Sequence, residues 1–183
     1  MKTRVSSPQT AAKIVVRSLS PRSTRGVLTY GNLSFPCALG RSGRRALKRE
    51  GDGASPIGHF ALREAYYRAD RLGLRPMVGL DLSPLRSSDG WCDAPCDRNY
   101  NRKVSHPYPA SAEEMWRQDE LYDLLVVLGY NDRPRIAGRG SAVFMHVASD
   151  GWKPTEGCVA LKREHLQRLL RVLRPDARLT ILP

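Results

Sequence analysis

The chain has 183 residues, with 30 Lys and Arg against 18 Asp and Glu, for a formal net charge of +12. That length suits one domain with a real core, and the charge draws it toward polyanions. Hydrophobic residues make up 41% and no apolar run approaches a membrane-spanning length, which excludes a transmembrane class. Four cysteines are too few for a disulfide-built scaffold. The basic residues come without helix-turn-helix, RNP-type aromatic or zinc-finger spacing, so nucleic acid is not an expected partner.

Residues 1–12 mix Lys, Arg, Ser, Pro and Thr and read as a disordered basic tail with no secretory signal visible. Residues 13–183 read as a single domain. A strand over 13–19 centres on Ile14, Val15 and Val16. Segments 27–30 and 33–39 form a hairpin across Gly31-Asn32, with Cys37 buried in its second strand. Residues 40–55 are Gly- and Arg-rich and read as a surface loop, with a basic cluster at Arg41, Arg44, Arg45, Lys48 and Arg49. The run Gly51-Asp52-Gly53-Ala54-Ser55-Pro56-Ile57-Gly58 packs turn residues so closely that it predicts a defined turn, followed by a strand over 59–67 in which His59 either faces the cleft or, as is commoner beside an aromatic, is structural.

Residues 68–109 have the weakest periodicity and read as a long irregular insertion, the kind of segment that carries substrate contacts. Within it Cys92 and Cys96 lie four apart. They form a disulfide if the loop brings their Cα atoms within about 7 Å, or they join His106 in a zinc set that lacks an evident fourth ligand. Ser111-Ala112-Glu113-Glu114 has the capping-box pattern and predicts a helix from about Ala112, with Met115, Trp116 and Leu121 on its apolar side. Residues 124–128 predict a central strand, 129–140 a turn-rich loop, 142–147 a buried strand and 159–161 a short one. Leu166, Leu169, Leu170 and Leu173 recur at helical spacing and predict a helix over 163–173, with His165 facing solvent. A strand over 178–182 follows. The sum is a mainly β domain with one or two helices.

The chemistry concentrates between Phe144 and Leu161. An apolar strand, Phe144-Met145-His146-Val147, leads into a polar loop. The turn Thr155-Glu156-Gly157-Cys158 then leads into Val159-Ala160-Leu161. A cysteine is a weak nucleophile until a base or a positive neighbour makes it a thiolate, and His146 is the base within reach if the two strands are neighbours. Gly157 permits a tight turn that exposes sulfur. The amides of Gly157 and Cys158 are the expected oxyanion donors.

This segment resembles the active-site signature of the L,D-transpeptidase (YkuD) family, in which a histidine precedes a Ser/Thr-His-Gly-Cys turn. The block Gly51-Asp52-Gly53-Ala54-Ser55-Pro56-Ile57-Gly58-His59-Phe60 is similar to that family's upstream element. Glu156 stands where the family has a second histidine, and Ala160 where it commonly has Asn or Arg. The resemblance implies a β-rich YkuD-like fold, Cys158 as nucleophile, His146 as base and the Val147 carbonyl as the group that orients the imidazole. Gly90-Trp91-Cys92-Asp93 and Tyr100-Asn101-Arg102 resemble a subgroup element. Trp91, Tyr100, Arg98 and Arg102, with Thr155, are therefore the expected contacts to a peptide bearing a carboxylate.

The implied activity is cysteine acyl transfer between peptidoglycan stem peptides. A tetrapeptide donor loses D-Ala, and an amine acceptor completes a 3–3 or 1–3 link. No metal or organic cofactor is required. A carbapenem adduct on Cys158 is expected, and the implied location is the periplasm or cell envelope. Water as acceptor would instead give an L,D-carboxypeptidase, or an amidase that releases a wall-linked protein. A different class of function is a non-enzymatic basic module for wall polymer or nucleic acid, whose binding would weaken steeply with salt.

Overall fold

The computed structural model describes residues 13–73 and 79–183. The expected tail over 1–12 lies outside the described residues. In chain order the strands are β1 (Lys13–Ser18), β2 (Arg25–Tyr30), β3 (Leu33–Ala38), β4 (Arg44–Arg45), β5 (Ser55–Pro56) and β6 (Gly58–Tyr67). Helix α1 (Ala69–Leu72) precedes β7 (Leu82–Pro84), β8 (Asp89–Cys92), β9 (Arg102–Ser105), β10 (Ala112–Glu114), β11 (Leu124–Leu128) and β12 (Phe144–Val147). A single 3-10 turn (Asp150–Trp152), β13 (Val159–Leu161), α2 (Arg163–Val172) and β14 (Arg178–Ile181) complete the chain. Among the described residues the protein is mainly β with two helices, as the alternating apolar pattern predicts.

The main sheet runs β11-β12-β13-β3-β2-β1-β14-β6-β7, and β6 also pairs with β11, so eight strands close on themselves. The ten residues of β6 make this possible. Residues 58–61 pair with β14, and residues 62–67 pair with β11. Closure leaves those strands without the open edges that invite aggregation.

Strand β11 shows how one sequence serves two cores. Leu124, Val126 and Leu128 face the main core with Ile14, Val16, Leu28 and the α2 residues Leu166, Leu169 and Leu170. Leu125 and Val127 point the other way, into a second cluster with Tyr66, Trp91, Met115, Tyr122, Phe144 and Cys158. Successive strand residues alternate faces, so a strand buried on both sides reads as a continuous apolar run. Each Leu fully removed from water contributes roughly 2 kcal/mol.

The second cluster lies under a three-stranded sheet, β10-β8-β9. Two expectations are corrected here. The segment 68–109 is not irregular: it supplies α1, β7, β8 and β9. Nor does the capping-box pattern at Ser111 start a helix. Ala112, Glu113 and Glu114 pair with Cys92, Trp91 and Gly90, and the Met115 amide donates to the Asp89 carbonyl at 3.0 Å. A local capping signal loses to this ladder, which also buries Met115 completely. Trp116 is held separately, with the Arg68 guanidinium 3.6 Å from its ring centroid.

Two smaller expectations also change. The 40–55 segment is not simply a surface loop. Arg44 and Arg45 pair with Ser55 and Pro56, and Lys48 is 3% exposed. His165 does not face solvent freely, because its ring stacks on Phe35 at 4.7 Å. Cys92 and Cys96 are both free thiols, the first buried and the second exposed. Cys37 lies buried in β3 and burial pushes its thiol up to about 12. His59 Nδ1 meets Thr180 Oγ1 at 2.9 Å, a structural partner. Among the described residues no helix is long and apolar enough to cross a membrane.

Candidate active site

Strands β12 and β13 run parallel, with Met145 opposite Val159, His146 opposite Ala160 and Val147 opposite Leu161. Cys158 stands just before β13, next to Phe144. Met145, Val147, Val159 and Leu161 fill the main core. Alternation therefore turns Phe144, His146, Cys158 and Ala160 to the opposite face. There His146 and Cys158 line one cleft of about 490 Å³, together with Lys48, Glu113, Arg117, Tyr122, Thr155 and others.

The imidazole is oriented from behind. His146 Nδ1 lies 2.8 Å from the Val147 carbonyl. A carbonyl only accepts, so Nδ1 carries the proton and Nε2 keeps a lone pair. Burial lowers the His146 pKa to about 4 against the opposing pull of the Val147 bond. The ring is therefore neutral at pH 7. Tyr122 packs edge-on to it at 5.4 Å.

The thiol is equally neutral at rest. Burial, then the negative charge of Glu113, pushes Cys158 up to about 12, against the Phe144 amide and the positive charge of Lys48. The Phe144 N–H donates to Sγ at 3.3 Å, and Sγ–H donates to the Ala142 carbonyl at 3.3 Å. The resting pair is thus thiol and imidazole, not thiolate and imidazolium.

The turn before Cys158 is tied to the upstream block. Thr155 Oγ1 donates to the Cys158 carbonyl at 2.7 Å and accepts the Gly157 N–H at 3.2 Å. Ser55 Oγ donates to the same carbonyl at 3.3 Å and accepts the Gly40 N–H at 2.9 Å. Gly157 has φ +133°, and a Cβ there would sit 2.7 Å from the Ala54 carbonyl oxygen. Both the backbone angle and the close approach require glycine. The Gly157 amide, an expected oxyanion donor, is engaged by Thr155 in this structure.

The Gly-Asp-Gly run builds a charged knot under this turn. Asp52 accepts from Lys48 Nζ at 2.7 Å and from the amides of Arg49 and Ala54, both at 2.9 Å. Burial works to raise the Asp52 carboxyl, and these donors together hold it below the ordinary carboxylate range. The Lys48 chain threads between Gly140 and Gly157. A Cβ on Gly140 would meet its Cε at 3.0 Å, and one on Gly157 would meet its Nζ at 3.3 Å. Sequence reasoning placed Lys48 in a surface cluster and missed it as a wall of the cleft. Its spacing of four from Asp52 was the available signal.

A cation beside a cysteine favours the thiolate. Lys48→Met is therefore expected to slow iodoacetamide alkylation at the Cys158 peptide roughly tenfold at pH 8, while Lys48→Arg keeps most of the wild-type rate. Equal rates in all three, measured by peptide mass, would remove Lys48 from the thiol's electrostatics.

The other expected contacts separate. Thr155 lines the cleft. Trp91 and Tyr100 stand behind its walls. The Trp91 indole donates to Asn101 Oδ1 at 2.9 Å, with its ring edge-on to Phe144 at 5.1 Å. Tyr100 donates its hydroxyl to Glu50 and accepts the Gly140 amide. Arg98 and Arg102 are exposed and lie outside the cleft. Arg117 occupies the cleft instead, paired with Asp119 at 2.6 Å. Glu156 points to Arg41, 2.8 Å away. Among the described residues no group of three or more His, Cys, Asp and Glu side chains is placed to hold a metal ion.

A family model described as the L,D-transpeptidase catalytic domain, YkuD, matches residues 14–181. The chain belongs to the YkuD family. Among solved structures it is similar to the crystal structure of Mycobacterium tuberculosis L,D-transpeptidase 1, with 14% identity and a TM-score of 0.40. The match covers 94% of this chain and 62% of that one, so this YkuD chain spans less than two thirds of that protein. No curated protein matches the chain. The YkuD domain here retains a histidine and a cysteine facing one cleft, with Glu156 and Ala160 at the departures from the family pattern.

Proposed function

We propose that this domain is a peptidoglycan L,D-transpeptidase that uses Cys158 as nucleophile and His146 as general base and acid. The observation that carries this reading is the parallel β12–β13 ladder. It turns both side chains into one cleft, with the imidazole Nε2 left free by the Val147 bond.

Cys158 Sγ attacks the carbonyl of the third residue of a tetrapeptide stem. Its proton passes to His146 Nε2, then to the departing D-Ala amine. A thioester remains. An acceptor amine attacks it, forms the amide and returns the proton to sulfur. A diamino-acid side chain as acceptor gives a 3–3 link, and an amine at position 1 gives a 1–3 link. The resting neutrality of the pair means that proton transfer accompanies attack and does not precede it. A carbapenem carbonyl offers the same electrophile, so an adduct belongs to this reading. The place of action is the cell envelope, where stem peptides are found.

The test is mass spectrometry of disaccharide-tetrapeptide muropeptides incubated with the protein. A dimer lighter than two monomers by one alanine is expected, and fragmentation locates its link. Tripeptide without dimer would make the protein a carboxypeptidase. Unchanged muropeptides would overturn the enzymatic reading and leave a wall-binding module.

A further inference from the structure

Glu113 has no place in the donor half of this reaction, yet its carboxyl lines the same cleft as Cys158 and His146. It projects from β10, in register with Trp91, and 28% of its side chain is exposed. The Tyr122 hydroxyl donates to Oε1 at 2.5 Å. Arg117 stands 3.8 Å away and is committed to Asp119, with bonds of 2.6 and 2.8 Å. Asp93 lines the cleft too, and its buried Oδ1 meets no hydrogen-bond partner among the described residues. A buried carboxylate oxygen without a donor is costly, so the Asp93 oxygen, on the same cleft as the Glu113 carboxyl, stands ready for a cation.

The charge also works against the nucleophile. A carboxylate here pushes the Cys158 thiol up, and burial raises the Glu113 carboxyl itself. The groups facing Glu113 are the Tyr122 hydroxyl, Arg117, Asp93, Asp119 and the thiol; the Tyr122 hydrogen bond and then Arg117 pull its carboxyl back down, while Asp93 and Asp119 add to the rise. The second half of the reaction supplies a use. An amine acceptor arrives protonated at neutral pH and attacks only after losing a proton.

Building on the transpeptidase reading, we propose that Glu113, with Asp93 beside it, receives the acceptor ammonium and takes its proton. The ammonium gives one proton to the Glu113 carboxylate. The free amine forms the C–N bond with the thioester carbonyl and the C–S bond breaks. The second nitrogen proton reaches sulfur through His146, and Glu113 returns its proton to solvent. Water needs no such handle, so Glu113 decides between cross-linking and hydrolysis.

The experiment follows D-Ala release and the dimer-to-tripeptide ratio in the same muropeptide incubation. Glu113→Gln preserves an acceptor for Tyr122. It is expected to keep D-Ala release within about threefold and to lower the dimer-to-tripeptide ratio at least about tenfold. Asp93→Asn is expected to shift the ratio the same way by less. The wild-type ratio should fall on acidification, and the Glu113→Gln ratio should be flat. An unchanged ratio in Glu113→Gln, with D-Ala still released, overturns the inference alone. Parallel loss of D-Ala and dimer in a folded variant assigns Glu113 to the donor half and also overturns it. A wild type that releases no D-Ala overturns the transpeptidase reading and this inference together.

Discussion

Cys158→Ala is expected to abolish both D-Ala release and dimer formation while leaving a cooperative fold. The thiol is 7% exposed, and its packing neighbours Phe144, Tyr122 and Val127 are held by their own contacts. What the variant loses structurally is the sulfur that accepts the Phe144 amide and donates to the Ala142 carbonyl. One unsatisfied buried amide costs about 1–3 kcal/mol, or several degrees in Tm for a chain of this size. What it loses chemically is the sulfur that forms the thioester in the proposed reaction. Cys158→Ser restores a hydrogen-bonding atom and should recover the lost stability, but no activity, because a hydroxyl beside a neutral imidazole is far less nucleophilic. Measurable dimer from either variant, with melting curves showing it folded, would sink the assignment of the nucleophile.

The second large effect is at His146. His146→Ala should lower the rate of D-Ala release by about 10²–10⁴, the usual range for a positioned acid-base group. A loss under tenfold would remove it as the base. The same residue makes a pH prediction that needs no substrate. Its folded pKa is about 4, below the ordinary value of about 6.5 for an unfolded histidine. Between those values the unfolded chain binds a proton that the folded chain refuses. Stability is therefore fully present above pH 6.5 and is lost as pH falls toward 4, by up to about 3 kcal/mol. His146→Gln removes the titration, so its Tm should change much less than that of the wild type between pH 6.5 and 4. Parallel Tm curves for the two proteins would contradict the buried neutral imidazole.

Much of the barrel was legible in the sequence. The strands over 13–19, 33–39 and 124–128 show dense apolar runs or alternation, and these survive because burial on one or both faces demands them. The turn over 155–158 was legible because Gly157 and Cys158 adjoin a short apolar strand. What failed was non-local. The Ser111 capping signal is local, whereas the partners that turned 112–114 into a strand lie twenty residues earlier, in β8. The expected helix hides Glu113, which would sit in its first turn and is instead a cleft carboxylate. Lys48 looked like one more charge in a basic loop. Its burial depends on Asp52 close by, but also on Gly140 and Gly157 about a hundred residues onward. Arg98 and Arg102 carry charge suited to a carboxylate and adjoin aromatics in sequence. The aromatics turned out to be braces, buried through Asn101 and Glu50, and their neighbouring arginines were left on the outside.

The position of β14 has a consequence for how the protein is made. It is the last strand in chain order, yet it lies within the ring, parallel to β1 and antiparallel to β6. A ribosome has already delivered the His146 and Cys158 strands when β1 and β6 still face each other across a gap. Until residues 178–181 emerge, both strands display unpaired amides and carbonyls, open to other nascent chains. The interval between translating the reactive thiol and sealing the ring is when this polypeptide has most need of a chaperone.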